Sequence, residues 1–279
     1  MRRSMLVVFV VAATIAVAMA QFTIGPIVGF GLGVGREATG SDYETNSQGE
    51  KIKNENIYYS AGQGMKMGLA MSYSTETIGF GLDMGYSMGL DTEIDKSEYY
   101  STYDSTWTNW TSKMKTSFMF LSPSIRIENS FGQLTPFCAS GLNFALMPKS
   151  IYSSSYTYTG DSYEGEYETS YGIGMGGFGA LGVKYSFGGG LSIVGQIRYD
   201  QLSLKAKSRK VTKYTINGED ELADWTTRDK ETEFREDDTD DNYDDENSPN
   251  IDRTYTIPAN SMTISVAMQY SFGGSRRSR

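Results

Sequence analysis

Ile78-Gly79-Phe80-Gly81-Leu82-Asp83-Met84-Gly85-Tyr86-Ser87-Met88-Gly89-Leu90 is the stretch that decides the fold. Every even position is large and apolar, and every odd position is Gly, Ser or Asp. Successive side chains of a strand point to opposite faces, so this period of two predicts one long β-strand. At ~3.3 Å per residue it is long enough to cross a bilayer at a tilt. The second face sets the orientation. Glycine weakens a strand and covers nothing, so a glycine face makes a poor water-facing surface. It suits the crowded interior of a narrow barrel whose bulky outer residues meet lipid.

Seven further segments carry the same alternation. Phe22 to Val34 sets Phe30, Leu32 and Val34 against glycines, and Ala61 to Tyr73 sets Met65, Met67, Leu69 and Met71 against Lys66, Gly68, Ala70 and Ser72. Lys113 to Ile127 departs from the pattern, because Phe118, Met119, Phe120 and Leu121 are contiguous; a bulge or an interior aromatic is expected there. Leu134 to Met147, Ser170 to Tyr185, Leu191 to Asp200 and Met262 to Phe272 complete the set. On the sixth, Tyr171, Ile173, Met175, Leu181, Val183 and Tyr185 fall on one face.

The connections alternate long and short. Polar stretches at about 36–58, 91–112, 148–169 and 201–258 are long, whereas 74–77, 128–133 and 186–190 are short. This rhythm predicts an all-β, eight-stranded antiparallel up-and-down transmembrane β-barrel with short periplasmic turns and four long outer loops. Tyr73, Tyr185, Tyr270 and Phe272 then fall at the periplasmic rim, and Tyr86, Tyr171 and Tyr199 toward the outer rim, as two aromatic girdles.

The chain opens with Arg2 and Arg3, an apolar run from Met5 to Val17, and Ala18-Met19-Ala20. That is the layout of a secretory signal peptide over 1–20, with the barrel over 21–272 and a basic tail at 273–279. One cysteine, Cys138, leaves no internal disulfide to form. The net charge is −9, or −11 once Arg2 and Arg3 are removed, which argues against nucleic acid as a partner.

Leu134-Thr135-Pro136-Phe137-Cys138-Ala139-Ser140-Gly141-Leu142 resembles the entry to a mid-barrel strand in the small outer-membrane β-barrel proteins of the OmpA, OmpX and OmpW type. Ser265 to Phe272 resembles the closing strand that the barrel-assembly machinery reads, although Gly273-Gly274-Ser275-Arg276-Arg277-Ser278-Arg279 follows where that group ends on the aromatic. The resemblance implies a Gram-negative outer-membrane location, with outer-membrane lipid, lipopolysaccharide and the assembly machinery as partners.

The chain has no histidine. The outer-membrane acyltransferases, lipid A deacylases, phospholipases and omptin proteases resemble one another in using a histidine base, so none can be built here in its usual form. No catalytic residue and no cofactor is expected. The polar residues on the predicted inner face are Lys66, Asp83, Arg126, Lys184, Gln196, Arg198 and Asp200. Inside a narrow barrel such charges must pair or meet water, so they form either a structural plug or a gated polar path.

From Gln201 to Pro258 there are 16 acidic and 9 basic residues. Asp238, Asp240, Asn242 and Asp244 have the alternate spacing of a calcium loop, but Tyr243 stands at the glycine position and Pro249 at the final glutamate. A solvated acidic run, or one bridged to lipopolysaccharide by divalent cations, is the broader reading. The outer stretches are rich in Tyr, Ser, Thr, Asn and Gly, a composition suited to adaptable contact with an extracellular ligand. The expected role is a non-enzymatic envelope-structural or loop-presenting protein. The alternatives are a narrow channel for small or apolar solutes and a secreted, soluble lipocalin-like binding barrel.

Overall fold

The computed structural model describes residues 21–34, 37–75, 77–102, 105–237 and 245–272. The expected signal peptide, the basic tail and the candidate metal positions Asp238, Asp240, Asn242 and Asp244 lie outside the described residues. The chain is all-β, with its strands joined in one sixteen-stranded sheet. In order these are β1 (Gln21–Gly33), β2 (Glu37–Thr45), β3 (Lys51–Tyr59), β4 (Gly64–Ser74), β5 (Ile78–Gly89) and β6 (Thr92–Ser101). Next come β7 (Thr106–Glu128), β8 (Leu134–Tyr158), β9 (Asp161–Tyr171), β10 (Gly174–Gly188) and β11 (Leu191–Ile216). Last are β12 (Glu219–Asp220), β13 (Glu231–Arg235), β14 (Asn250–Arg253), β15 (Thr256–Pro258) and β16 (Ser261–Phe272). No helix among the described residues is long and apolar enough to cross a membrane, which says nothing of crossing by strands.

Eight of these strands pair antiparallel in a closed cycle: β1 with β4, then β5, β7, β8, β10, β11 and β16, which pairs back to β1. These are the eight alternating segments of the sequence. The expectation of eight strands is therefore met only for this ring, and the other eight strands were not foreseen. They arise in the polar stretches. β2 and β3 occupy 37–59, β6 pairs with the outer half of β7, β9 lies between the outer halves of β8 and β11, and β12 to β15 follow β11. The long connections are thus largely a strand extension standing on one end of the ring. Their Thr and Tyr content favours strands, but their polarity masked that preference.

Side-chain direction in the ring follows the alternation. On β5, Ile78, Phe80, Tyr86 and Met88 are exposed on the outside, with Phe80 at 58%, while Gly79, Ser87 and Gly89 are buried inside. Outward apolar residues continue around every ring strand, from Val28 and Phe30 to Ile264, Val266 and Met268. A lipocalin-like soluble barrel would carry the reverse orientation. The contiguous Phe118 to Leu121 run resolves as both expected devices at once. Phe118 is buried inside at 2% exposure, Met119 faces out, and the β7–β8 register shifts between Ser117 and Met119. Pro26 and Pro123 sit where one flanking ladder lapses, so neither removes a needed hydrogen bond.

One placement is corrected. Tyr171 was expected on the outer face with Ile173, but it is buried inside, whereas Ile173 is exposed. The expected sixth strand is broken at Gly172 and Ile173 into β9 and β10, and the phase of alternation changes across the break.

The inner glycines permit close approach. A Cβ at Gly25 would stand 1.7 Å from the Met268 carbonyl oxygen, whereas one at outward Gly179 meets nothing within 4 Å. Gly25→Ala is expected to abolish most refolding into the compact, heat-modifiable form in detergent. Gly179→Ala should stay within about 0.5 kcal/mol of wild type. Equal refolding of the two would contradict the ring packing described here.

Candidate functional site

The inner face at mid-height gathers four of the seven predicted polar residues. Lys66 stands on β4, Asp83 on β5, and Arg198 and Asp200 on β11. Asp200 is almost wholly buried, and both of its oxygens are held. Lys66 Nζ donates to Oδ2 at 2.9 Å, and to Ser261 Oγ at 2.9 Å and Thr263 Oγ1 at 3.0 Å. Arg198 Nε donates to Asp200 Oδ1 at 2.6 Å, and Asn143 Nδ2 donates to the same oxygen at 3.0 Å. Arg198 Nη2 donates to Ser122 Oγ at 2.9 Å, and Ser122 Oγ donates to Asn143 Oδ1 at 2.9 Å. The Asp83 carboxylate lies 3.5 Å from Arg198 Nη1, and the Phe178 ring lies 3.6 Å from the guanidinium carbon. Two cations and two carboxylates thus form one neutral cluster, which is what a buried set of charges requires.

The other three predicted residues are inside but separate. Gln196 lines the cavity beside the cluster. Arg126 lies over the Phe137 ring at 4.2 Å. Lys184 forms its ion pair with Glu128, 3.9 Å away toward the short-turn end. Sequence reasoning missed Ser122, Asn143, Glu128 and Phe178. Asn143 sits between outward Leu142 and the Phe144 position, so alternation did place it inside, but its neutrality hid its importance. Glu128 was read as the start of a turn, although β7 extends through it. Phe178 is a bulky ring on a face expected to be small, and only the guanidinium over it explains the choice.

An apolar group flanks the cluster on each side, and toward the short turns it is interleaved with buried Thr23, Ser72 and Gln269. On the extension side Phe118, Leu202, Leu204 and Tyr171 pack with Tyr59 and Phe234. The Tyr59 hydroxyl is 2.6 Å from Thr116 Oγ1, which is 2.5 Å from Ser150 Oγ. Burial pushes the Tyr59 and Tyr171 phenols well above their ordinary range. On the other side Ala70, Phe137, Val194 and Ala267 form a second group with Ile27. Between them lies a cavity of about 30 Å³ bounded by Lys66, Asp83, Asn143, Gln196 and Arg198. This is room for about two water molecules and not for a continuous file. Among the described residues, no group of three or more Cys, Asp or Glu side chains is arranged to hold a metal ion.

No family model and no curated protein matches the chain, so its kinship with the OmpA, OmpX and OmpW type stays a resemblance. Among solved structures, the outer membrane protein OprG from Pseudomonas aeruginosa superposes with a TM-score of 0.46 at 11% identity, over 92% of this chain and 97% of that one. A TodX deltaS2S3 mutant, described as a monoaromatic hydrocarbon channel, gives a TM-score of 0.22 at 11% identity, over 93% and 92% of the two chains. Both are loose superpositions, so the strand pairing and the two-faced alternation carry the architecture by themselves.

Asp200 is the hub of the cluster, and its removal strands two buried cations. Asp200→Ala is expected to lower unfolding free energy by about 3–5 kcal/mol, read as an earlier loss of the compact form on heating in detergent. Gln133→Ala, at the rim, should shift the transition by no more than about 0.5 kcal/mol. A transition unchanged in Asp200→Ala would remove the cluster as a structural element.

Proposed function

We propose that the ring is an eight-stranded transmembrane β-barrel of the outer membrane, and that the protein is a non-enzymatic, narrow channel for small solutes, closed in this state. The membrane assignment follows from the outer surface. Outward apolar side chains run from Ile78 to Met88 on β5. At ~3.3 Å per residue and a tilt of about 40°, that run covers about 25 Å, the height of the apolar band of such barrels. Phe22, Tyr185, Phe187, Tyr270 and Phe272 cluster at the short-turn end, where an interfacial girdle belongs.

The outer surface changes character at the top of this band. On β8, exposed Met147 is followed by Lys149, which pairs with Glu168 at 2.7 Å. On β11, exposed Tyr199 gives way to Lys205, Lys210 and Lys213, each paired with a glutamate. A lipid face thus becomes a water face within a few residues. With short turns on the periplasmic side, as in other outer-membrane barrels, the charged extension stands outside the cell.

The channel reading rests on one observation: four ionisable groups, Lys66, Asp83, Arg198 and Asp200, converge on the lumen at mid-height around a small cavity. The interior shows that apolar side chains can fill this barrel. A purely structural plug would gain nothing from buried charge, since replacing such a network by packed hydrophobes is commonly neutral or stabilising. Charges retained inside a membrane span point to a pathway. Arg198 is the natural gate, because its contact to Asp83 is long, at 3.5 Å, and its guanidinium spans from Asp200 on its own strand to Ser122, the cross-strand neighbour of Asp83. In planar bilayers wild type should show rare, brief openings, and Arg198→Ala should show steady steps of larger conductance. If a folded Arg198→Ala barrel stays silent, the cluster is a plug and the envelope-structural reading replaces the channel.

A further inference from the structure

The extension has a second surface that the channel does not use. Its outer face carries the ion pairs between lysines and glutamates, and its inner face is aromatic. Alternation along β7, β8 and β9 places Trp110, Tyr156 and Tyr163 in one row across three strands. Their ring centroids are 5.7 and 5.3 Å apart, and Tyr158 stacks on Tyr156 at an interplanar angle of 8°. A second row holds Tyr152 and Tyr167, 5.5 Å apart. Between the rows stand the smallest residues of the face, Ser112, Ser154 and Gly165.

The rings of the row are tilted to one another, Trp110 by 57° and Tyr163 by 40° relative to Tyr156. Trp110 Nε1 donates to Ser112 Oγ at 2.7 Å, and the Tyr152 hydroxyl reaches the same oxygen at 2.8 Å. Ser112 is wholly covered, and a Cβ on Gly165 would lie 3.8 Å from the Tyr167 hydroxyl. Trp110 keeps 36% exposure, and Tyr156 and Tyr163 are half-exposed. The result is a platform of adjacent, mutually tilted aromatic faces with hydroxyls at their edges. This inner face carries no charge between Thr108 and Met114 on β7 or between Tyr152 and Tyr158 on β8, and it is flanked by Asp95, opposite Ser112, and by Arg209, 5.8 Å from the Tyr167 ring centroid. Thr108, at the edge of the platform, is fully buried, and its Oγ1 has no hydrogen-bond partner.

We infer that the platform formed by Trp110, Tyr156 and Tyr163 binds a neutral oligosaccharide. A pyranose ring offers an apolar C–H face to an aromatic ring and hydroxyls at its rim. That is the complement of this surface. A hydrocarbon ligand would instead strip water from the tyrosine hydroxyls and give nothing back. The choice of aromatic agrees. Of the phenylalanines, only Phe234 belongs to the extension, while all three tryptophans, Trp107, Trp110 and Trp225, do. The net charge of −9 disfavours acidic glycans. The inference rests on the extension standing in water outside the membrane. It is independent of whether the lumen conducts, so the bilayer experiment and the sugar experiment can fail separately.

The test is a tryptophan-fluorescence titration of the whole mature protein in detergent micelles. The probes are maltohexaose, cellohexaose and the hexamer of N-acetylglucosamine, with toluene as the apolar comparison. At least one sugar should give saturable quenching or a blue shift at low-millimolar concentration or below. Trp110→Ala and Tyr156→Ala should each weaken it about tenfold. Trp107→Phe, on the opposite face beside Tyr100, should leave affinity within about twofold. Heat-modifiable migration of each variant confirms a folded ring, and Tyr156→Phe separates ring stacking from loss of the ring. No response to any of the three sugars overturns the proposal. So does sugar binding unchanged by Trp110→Ala and Tyr156→Ala, or a platform response to toluene alone.

Discussion

Closure of the ring is the constraint on which everything else depends. Each of the eight strands has two neighbours, so no backbone donor or acceptor at that level is left to an edge, the condition a membrane imposes on a strand protein. Closing eight strands leaves an interior only as wide as the side chains that fill it. Bulk must therefore go outside, and small or mutually paired groups must go inside. The alternation of glycine with leucine, methionine and phenylalanine is that geometric rule written into the chain.

The interior then becomes a problem of charge. Lys66, Asp83, Arg198 and Asp200 each pay a desolvation penalty, which only simultaneous pairing can offset. The structure does this by placing Asp200 where two cations and the Asn143 amide reach its two oxygens. Phe178 and Phe137 extend the arrangement by giving Arg198 and Arg126 aromatic faces. Toward the short turns a second ion pair, Lys184 with Glu128, meets the same requirement separately.

The same strands serve two solvents. β7, β8 and β11 run on from the ring into the extension. Register shifts between Ser117 and Met119 and between Ala206 and Ser208 lie near the crossing. Beyond it the polarity of the faces is exchanged, with charge outside and aromatic rings inside. Continuous strands thus tie a membrane-adapted surface rigidly to a water-adapted one. Helical or irregular loops would not transmit that rigidity.

The sequence by itself determined the ring: eight segments, their order, and which side chains face inward. A period of two is a local property, so the direction of Leu82, Asp83, Arg198 and Asp200 is legible without any partner. It also showed that Phe118 to Leu121 must break the pattern. Only the tertiary structure decided which inner charges meet. Lys66 and Asp200 are far apart in the chain, and ring closure through β16 and β1 brings their strands to within reach. It alone showed that the polar stretches are strands, because their pairing is between distant segments and their polarity resembles that of loops. It alone turned Tyr171 inward, since a two-residue break between β9 and β10 resets the phase that a simple alternation carries through.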